Sequence, residues 1–317
     1  MCQLIEKWEE EAKKLKSLGV LDIVPIKDFR YDLIKSNLDN RLTSSCESIF
    51  PQSFAAAGIS LALVDPQQII AIPRGIRAQE EICPSEKSDK IPHSTDRFSH
   101  ELLAYLSPEI GIVSTYSHPA IISLLKRLQI PCLTLPTPNT LENITDSIKQ
   151  LGNAIESEVE ADLLAYFFEA ALHALDNRVR VLKYLEDGEL NKNIAFVHYH
   201  VNLSIPTDNT LIGQLLQRAH INENFFIQKN HSHLWHVPID YESLHQYAPD
   251  GLIIASSQQN IIRRLLTFFP KIRDTLAYKR GHVFVVNNGL NQTPTQHLIL
   301  AYSDLIEALF QVYGYVD

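Results

Sequence analysis

The sequence predicts an α/β protein made of two similar lobes that are joined by one long helix. Three observations support this fold class. The chain contains an internal repeat at a constant offset, each copy is followed by the pattern of a buried strand, and an uninterrupted helical stretch separates the copies.

The repeat relates residues 98–114 to residues 239–255, at an offset of 141 residues (242 − 101 and 249 − 108). The matched pairs are Glu101 with Glu242, Leu103 with Leu244, Pro108 with Pro249 and Ile112 with Ile253, and the register continues from Ile121, Leu124 and Leu125 to Ile262, Leu265 and Leu266. Each copy predicts a short helix that ends before its proline, because proline lacks an amide donor and clashes with the preceding turn.

A short apolar run follows each proline, at residues 110–113 and 252–255. Such runs are typical of parallel strands that are covered on both faces. A helix and a second strand follow in each half, at residues 132–135 and 282–286, which gives both halves the order β-α-β. A single α/β domain can produce echoes of this kind, but two similar lobes explain the constant offset better.

The longest helical pattern covers residues 156–184 and contains neither proline nor glycine. At 1.5 Å per residue it spans roughly 40 Å, which predicts a stiff connection along both lobes. Thr140 is the predicted cap of a shorter helix before it. We therefore predict an N-terminal extension (1–40), a first lobe (41–138), connecting helices (139–187) and a second lobe (188–317).

Charge, cysteine spacing and the lack of catalytic motifs argue against several classes of function. A net charge of −9 argues against a nucleic-acid partner, and the four cysteines have no C-x-x-C spacing, which argues against a zinc cluster or redox pair. Because the motifs of hydrolases, P-loop enzymes, zinc proteases and dinucleotide-binding enzymes are missing, we predict no catalytic residue and no cofactor.

Residues 1–16 predict an amphipathic helix rather than a secretory signal, and Cys2 is a candidate remnant of a lipid-anchor site.

This layout resembles the helical-backbone class of ABC-importer binding proteins, which serve ferric siderophores, haem and vitamin B12. Four segments between residues 41 and 315 carry the resemblance. The first is the opening Arg41-Leu-Thr-Ser-Ser45, followed by a helix that ends at residues 54–58 and a strand at residues 69–73. The others are the block of Glu101 and Pro108, the stretch 124–144, and the block of Glu242 and Pro249 together with residues 279–286. The family's Pro-Ser-(x)-Thr-Glu run is replaced by residues 45–52, with a late Pro51.

The resemblance implies two Rossmann-like α/β/α lobes with a ligand cleft between them. It implies a periplasmic or membrane-anchored lipoprotein that captures an iron complex (siderophore or haem) or cobalamin and delivers it to a membrane permease dimer. Glu101 and Glu242 would then dock into arginine pockets of the permease, although a carboxylate also suits the first turn of any surface helix. A chelatase-like or other tetrapyrrole- or metal-handling enzyme is the alternative function, and a cytosolic regulator is a third.

Ligands of α/β lobes bind at the carboxyl ends of the strands, and loops there contain the candidate ligand residues. These are Ser45, Arg74, Arg77, Tyr116, His118, His198, Tyr199 and His200. Arginine binds carboxylate or catecholate oxygens in a fork, tyrosine stacks on flat ligands or ligates iron, and His118, His198 and His200 are candidate metal ligands. Surface salt bridges, packing and solvated hydrogen bonds are the alternatives. The histidines of residues 231–236 form a separate and weaker candidate cluster.

Overall fold

The protein is built on sheets of mainly parallel strands. The structure is a computed structural model and describes residues 46–94, 100–200, 202–221, 234–257 and 261–315. The described chain divides into two units. The first unit contains residues 46–169 and 293–297, and the second unit contains residues 170–292 and 298–315. The division falls inside one continuous helix, between Glu169 and Ala170.

The strands of the first unit all run parallel. They are β1 (Ile49–Pro51), β2 (Ala71–Ile72), β3 (His93–Ser94), β4 (Ile110–Ser114) and β5 (Cys132–Leu135). Strands β1, β4 and β5 form one sheet in that order, and β2 pairs with β3. A parallel bridge connects Ile49 to Ile69, and the Ile70 N–H donates to the Ile49 carbonyl at 3.1 Å.

The helices of the first unit follow its strands along the chain. They are α1 (Phe54–Leu63), α2 (Arg74–Arg77), α3 (Ser85–Ser88), α4 (His100–Leu106), α5 (Pro119–Arg127), α6 (Leu141–Ala154) and the beginning of α7 (Glu158–Leu185), with a 3-10 turn at Pro66–Gln68. Phe50, Leu103 and Leu125 are fully buried in the core that these elements share.

The second unit is built on a five-stranded mixed sheet. Its strands are β6 (Ile194–Tyr199), β7 (Leu203–Pro206), β8 (His236–Pro238), β9 (Gly251–Ser256) and β10 (Val283–Asn287), in the order β10-β9-β6-β7-β8. Strands β10, β9 and β6 run parallel, whereas β7 runs antiparallel to β6 and β8. The helices are the rest of α7, α8 (Leu211–Arg218), α9 (Tyr241–Tyr247), α10 (Ile261–Phe268), α11 (Leu276–Lys279), α12 (Asn288–Asn291) and α13 (Leu298–Tyr313), with a 3-10 turn at Pro270–Asp274.

The predicted sequence repeat is confirmed as a structural repeat. Helices α4 and α9 begin and end 141 residues apart (241 − 100 and 247 − 106), and so do the starts of β4 and β9 (251 − 110). Each short helix is followed by a non-glycine residue with positive φ, Ser107 at 42° and Ala248 at 47°. The match fails at Ile262, which is 39% exposed, because the second copy buries Ile261 in the first turn of α10 instead.

The predicted long helix is confirmed as α7, with 28 residues. The predicted cap of α6 is also confirmed, since the Thr140 side chain accepts from the Asn143 amide. A tight connection joins α6 to α7: a Cβ on Gly152 would clash with the Cβ of Ala161, and Glu156 takes a positive φ of 58°. None of the described helices combines the length and apolar character needed to cross a bilayer.

The prediction for the start of the first unit was wrong. Helix α1 begins rather than ends at Phe54, because the Ser53 hydroxyl caps it by accepting from the Ala56 amide at 3.2 Å. The buried strand β1 that precedes it was missed, since three residues are too few to show a periodicity. The strand predicted at residues 69–73 is reduced to Ala71–Ile72. The helix predicted for residues 1–16 lies outside the described residues.

Residues 293–297 are a buried segment of the first unit. Gln296 is 1% exposed and donates from Nε2 to the Gly58 carbonyl at 3.0 Å. The Thr295 hydroxyl is a hydrogen-bond partner of His297 Nδ1 at 3.2 Å. Burial, with a smaller contribution from the charge of Lys87, lowers the pKa of His297 to about 4. The imidazole is therefore neutral in the folded protein at pH 5.

We expect a fall from pH 7 to pH 5 to destabilise the wild-type protein by about 2 kcal/mol more than a His297→Gln variant. An unfolded histidine, with a pKa near 6.5, takes up a proton in this window, whereas folded His297 does not. The unfolded state therefore binds more protons, and stability falls as the pH falls. Urea unfolding at both pH values measures the difference, with His173→Gln on an exposed position of α7 as the control. Equal pH dependence of the wild type and His297→Gln would contradict the assignment.

Candidate functional site

Polar side chains connect the loops at the carboxyl edge of the β1-β4-β5 sheet. The Ser114 hydroxyl, at the end of β4, donates to the Ser53 hydroxyl at 2.7 Å. The Ser117 hydroxyl donates to Gln52 Oε1 at 2.5 Å and accepts from the Ser114 amide at 2.9 Å. Gln52 and Ser53 were not among the predicted site residues, because strand β1 before them was missed.

Tyr116 and His118 lie in the loop that follows β4. Tyr116 is 56% exposed. His118 is exposed and caps α5, because its Nδ1 accepts from the Ala120 amide at 3.2 Å. The neutral ring must therefore carry its proton on Nε2. A metal at Nε2 would require the proton on Nδ1 and would break this cap, so the structure favours hydrogen bonding over metal ligation at His118.

The two predicted arginines occupy different environments after β2. Arg74 is exposed at the start of α2. Arg77 is half-buried, and its guanidinium donates to the carbonyls of Ile91 and His93 at 2.8 and 3.2 Å. Arg77 thereby holds the backbone at the start of β3, whereas the exposed Arg74 is accessible to an anionic ligand.

Ser45 lies outside the described residues. The three residues after it, 46–48, precede β1 and lie at the amino end of the sheet, where the Glu47 amide donates to Glu109 Oε2 at 2.9 Å just before β4. The prediction placed Ser45 in a loop at the carboxyl end of a strand. The described residues that follow Ser45 instead precede β1, which begins at Ile49.

His198, Tyr199 and His200 lie at the carboxyl end of β6 but differ in environment. His198 is 6% exposed, and its Nδ1 lies 2.8 Å from Asn288 Oδ1. Tyr199 is 7% exposed and packs edge-on against Phe269, with ring centroids 6.4 Å apart, in the core on the other side of the sheet. His200 follows the strand at a bend and is exposed. Tyr199 therefore serves the core, while His200 is accessible to a ligand.

A second histidine, the half-buried His236, lies beside His198. The rings of His198 and His236 have centroids 4.9 Å apart and an interplanar angle of 85°. Burial, and secondarily the charge of His236, lowers the pKa of His198 to about 4, and burial lowers the pKa of His236. Sequence analysis assigned His236 to a separate cluster, since only the β6-β7-β8 pairing brings it to His198. The remaining histidines of that cluster, at 231 and 233, lie outside the described residues.

The two predicted docking glutamates occupy equivalent positions. Glu101 and Glu242 are exposed in the first turns of α4 and α9. In α9 the cap is Asp240, whose Oδ1 accepts from the Ser243 amide at 2.8 Å. Glu242 is therefore not required as the cap of its helix, and its carboxylate faces solvent.

Two further features bear on ligand binding. A groove of about 730 Å³ on the second unit is lined by apolar side chains, one threonine and two arginines, namely Ile261, Ile262, Arg263, Leu266, Thr267, Arg273 and Val285. None of the predicted ligand residues lines it. Among the residues that the structure describes, no group of three or more histidine, cysteine or carboxylate side chains is placed to hold a metal ion.

Comparison with known proteins identifies the family. A model of the periplasmic binding protein family matches residues 52–289. The chain belongs to this family. The match covers both copies of the α-β repeat and the whole of α7, and members of the family bind substrates. The resemblance predicted from the sequence and the predicted α/β class are thereby confirmed. No curated protein matches the chain.

Solved structures of periplasmic binding proteins share the fold at low sequence identity. The periplasmic vitamin B12 binding protein BtuF of Vibrio cholerae has a TM-score of 0.63 and 14% identity, over 84% of this chain and 98% of that one. The periplasmic heme-binding protein RhuT from Roseiflexus sp. RS-1 has a TM-score of 0.67 and 16% identity, over 84% and 99%. A possible iron-binding periplasmic solute-binding protein from Staphylococcus epidermidis has a TM-score of 0.66 and 12% identity, over 84% and 99%. At these identities the likeness concerns the fold alone.

Proposed function

We propose that this chain is the substrate-binding protein of an ABC importer and captures an iron complex (siderophore or haem) or cobalamin. The family match over residues 52–289 carries the proposal. Structural relatives named for vitamin B12, haem and iron support this class of ligand. The protein would work in the periplasm or as a membrane-anchored lipoprotein and would deliver its ligand to a permease.

Exposed side chains at the carboxyl ends of the strands are the proposed ligand contacts. In the first unit these are Arg74 and Tyr116, with His118 as a hydrogen-bond donor. In the second unit His200 is exposed after β6. An arginine fork suits carboxylate or catecholate oxygens, and an exposed tyrosine ring offers a face for stacking on a flat macrocycle. These groups fit an anionic, partly aromatic ligand.

The proposal is tested by titrating the purified protein with haem, cobalamin, a ferric catecholate and a ferric hydroxamate, followed by absorbance and calorimetry. We expect saturable binding of one of these classes. Arg74→Ala and Tyr116→Ala should each weaken it about tenfold or more, which corresponds to about 1.4 kcal/mol. Tyr105→Ala, at an 83% exposed position on α4 of the same unit, is the matched control.

Two results would contradict the proposal. The first is that none of the four ligand classes binds to the folded protein. The second is turnover, such as insertion of a metal into a porphyrin, which would instead favour the chelatase-like enzyme.

A further inference from the structure

The packed pair of buried His198 and half-buried His236 is a feature that substrate binding does not explain. Both residues lie on the five-stranded sheet of the second unit, His198 near the end of β6 and His236 at the start of β8. Strand β7 lies between them in the sheet, so the two rings meet over it. Histidine is seldom fully buried unless its ring nitrogens have partners.

Each ring has a buried nitrogen without a hydrogen bond. These atoms are His198 Nε2 and His236 Nδ1, and neither has a partner within the part of the chain that the structure describes. The two rings do not satisfy each other. Both nitrogen atoms are therefore shielded from solvent without a hydrogen-bond partner. Packing of the two rings alone does not provide one.

The other nitrogen of His198 defines its tautomer. Nδ1 lies 2.8 Å from Asn288 Oδ1, which can only accept. The proton is therefore on Nδ1, and Nε2 carries the lone pair. Metal-binding histidines generally donate their second ring N–H to an oxygen acceptor in this way, which fixes the ring and makes the ligating nitrogen more basic. Asn288 is placed to supply this outer hydrogen bond to His198.

The separation of the rings also suits a shared ion. With a metal–nitrogen distance of about 2.0–2.1 Å, the centre of each imidazole ring lies about 3.2 Å from the metal. If the nitrogen–metal–nitrogen angle is about 90–109°, the two ring centres lie about 4.5–5.2 Å apart. The observed separation is 4.9 Å.

We propose that His198 and His236 bind a divalent transition-metal ion of the zinc or copper type. Neutral imidazole nitrogen favours zinc, copper and nickel over magnesium and calcium, which prefer oxygen ligands. With two protein ligands the ion keeps open positions. It is bound in addition to the transported solute, and the proposal does not depend on which solute that is.

The test is calorimetric titration of the metal-stripped, solute-free protein with Zn²⁺. We expect one equivalent to bind, and we expect His198→Gln, His198→Phe and His236→Phe each to weaken binding about tenfold or more. Phenylalanine preserves an aromatic ring in the pair, and glutamine preserves a donor toward Asn288. The exposed His173→Gln on α7 is the matched control and should bind like the wild type. Mg²⁺ should not bind.

X-ray absorption of the Zn²⁺ complex gives a second measurement, in which the signature of two imidazole ligands at about 2.0–2.1 Å is expected. The proposal is overturned if wild-type protein binds no Zn²⁺, or if the variants at 198 and 236 retain wild-type affinity while folded by circular dichroism. Loss confined to a His231→Gln/His233→Gln double variant would also overturn it. The Zn²⁺ titration contains no solute. A negative result therefore does not contradict the proposed solute binding, and a failure to bind solute does not contradict the metal site.

Discussion

Replacing Asp176 with alanine is expected to lower the free energy of unfolding of the second unit by about 3–5 kcal/mol. The Asp176 carboxylate, on α7, accepts from Arg218 Nε at 3.1 Å and also from its terminal Nη2. It accepts in addition from the Tyr302 hydroxyl at 2.7 Å. One carboxylate therefore satisfies groups from α8 and α13.

The large effect follows from what the substitution leaves behind. Tyr302 is fully buried, and the side chain of Arg218 is 34% exposed. Burial and the neighbouring Asp176 carboxylate raise the pKa of Tyr302 far above its usual range, so the hydroxyl stays protonated and needs an acceptor. Without Asp176, a half-buried guanidinium loses its counter-charge and a buried hydroxyl loses its partner, and both losses cost free energy.

Urea unfolding followed by circular dichroism measures this effect. Asp176→Asn, which keeps one acceptor oxygen, should cost less than Asp176→Ala, and Tyr302→Phe should cost about 1–2 kcal/mol. The control Asp162→Ala, at an exposed position of the same helix, should stay within about 0.5 kcal/mol of the wild type. A loss below about 1 kcal/mol for Asp176→Ala would show that this cluster does not stabilise the unit.

The elements that were predicted correctly are those with long or repeated local patterns. Helix α7 has an apolar period over 28 residues without a breaker, and the α4-β4 and α9-β9 units each end a short helix at a proline. Local sequence determines such features, because helix periodicity and proline sterics act within a few residues.

The features that were missed depend on pairing between distant segments. Strand β1 has three residues, and only its pairing with β4 makes it a strand. Strand β6 is buried on both faces, so the sequence does not indicate that Tyr199 faces the core while His198 faces His236. Likewise the carbonyls that engage Arg77 lie 14 and 16 residues further along the chain. The site was therefore predictable as a set of loops, but not as a set of contacts.

Replacing both Glu101 and Glu242 with alanine is expected to reduce uptake through the reconstituted permease about tenfold or more, with unchanged ligand affinity. Exposed carboxylates that meet arginine form forked, charge-assisted hydrogen bonds. The two glutamates lie at equivalent positions of the structural repeat, 141 residues apart (242 − 101). This arrangement suits a partner that presents two similar surfaces, as a permease dimer does.

Uptake into proteoliposomes and solute affinity, measured on the same preparations, separate docking from binding. A Glu101→Gln/Glu242→Gln variant removes the charges but keeps similar side chains, and it should lose nearly as much uptake as the alanine variant if the carboxylates meet arginines. A Glu86→Ala/Glu189→Ala variant removes one exposed carboxylate from each unit at other positions and keeps the same net charge as the test variant. Its uptake should match the wild type, because docking requires carboxylates at particular positions and not an acidic surface in general. Equal loss in both double variants would therefore mean that overall charge steers the encounter, and unchanged uptake in the Glu101 and Glu242 variant would exclude the docking role.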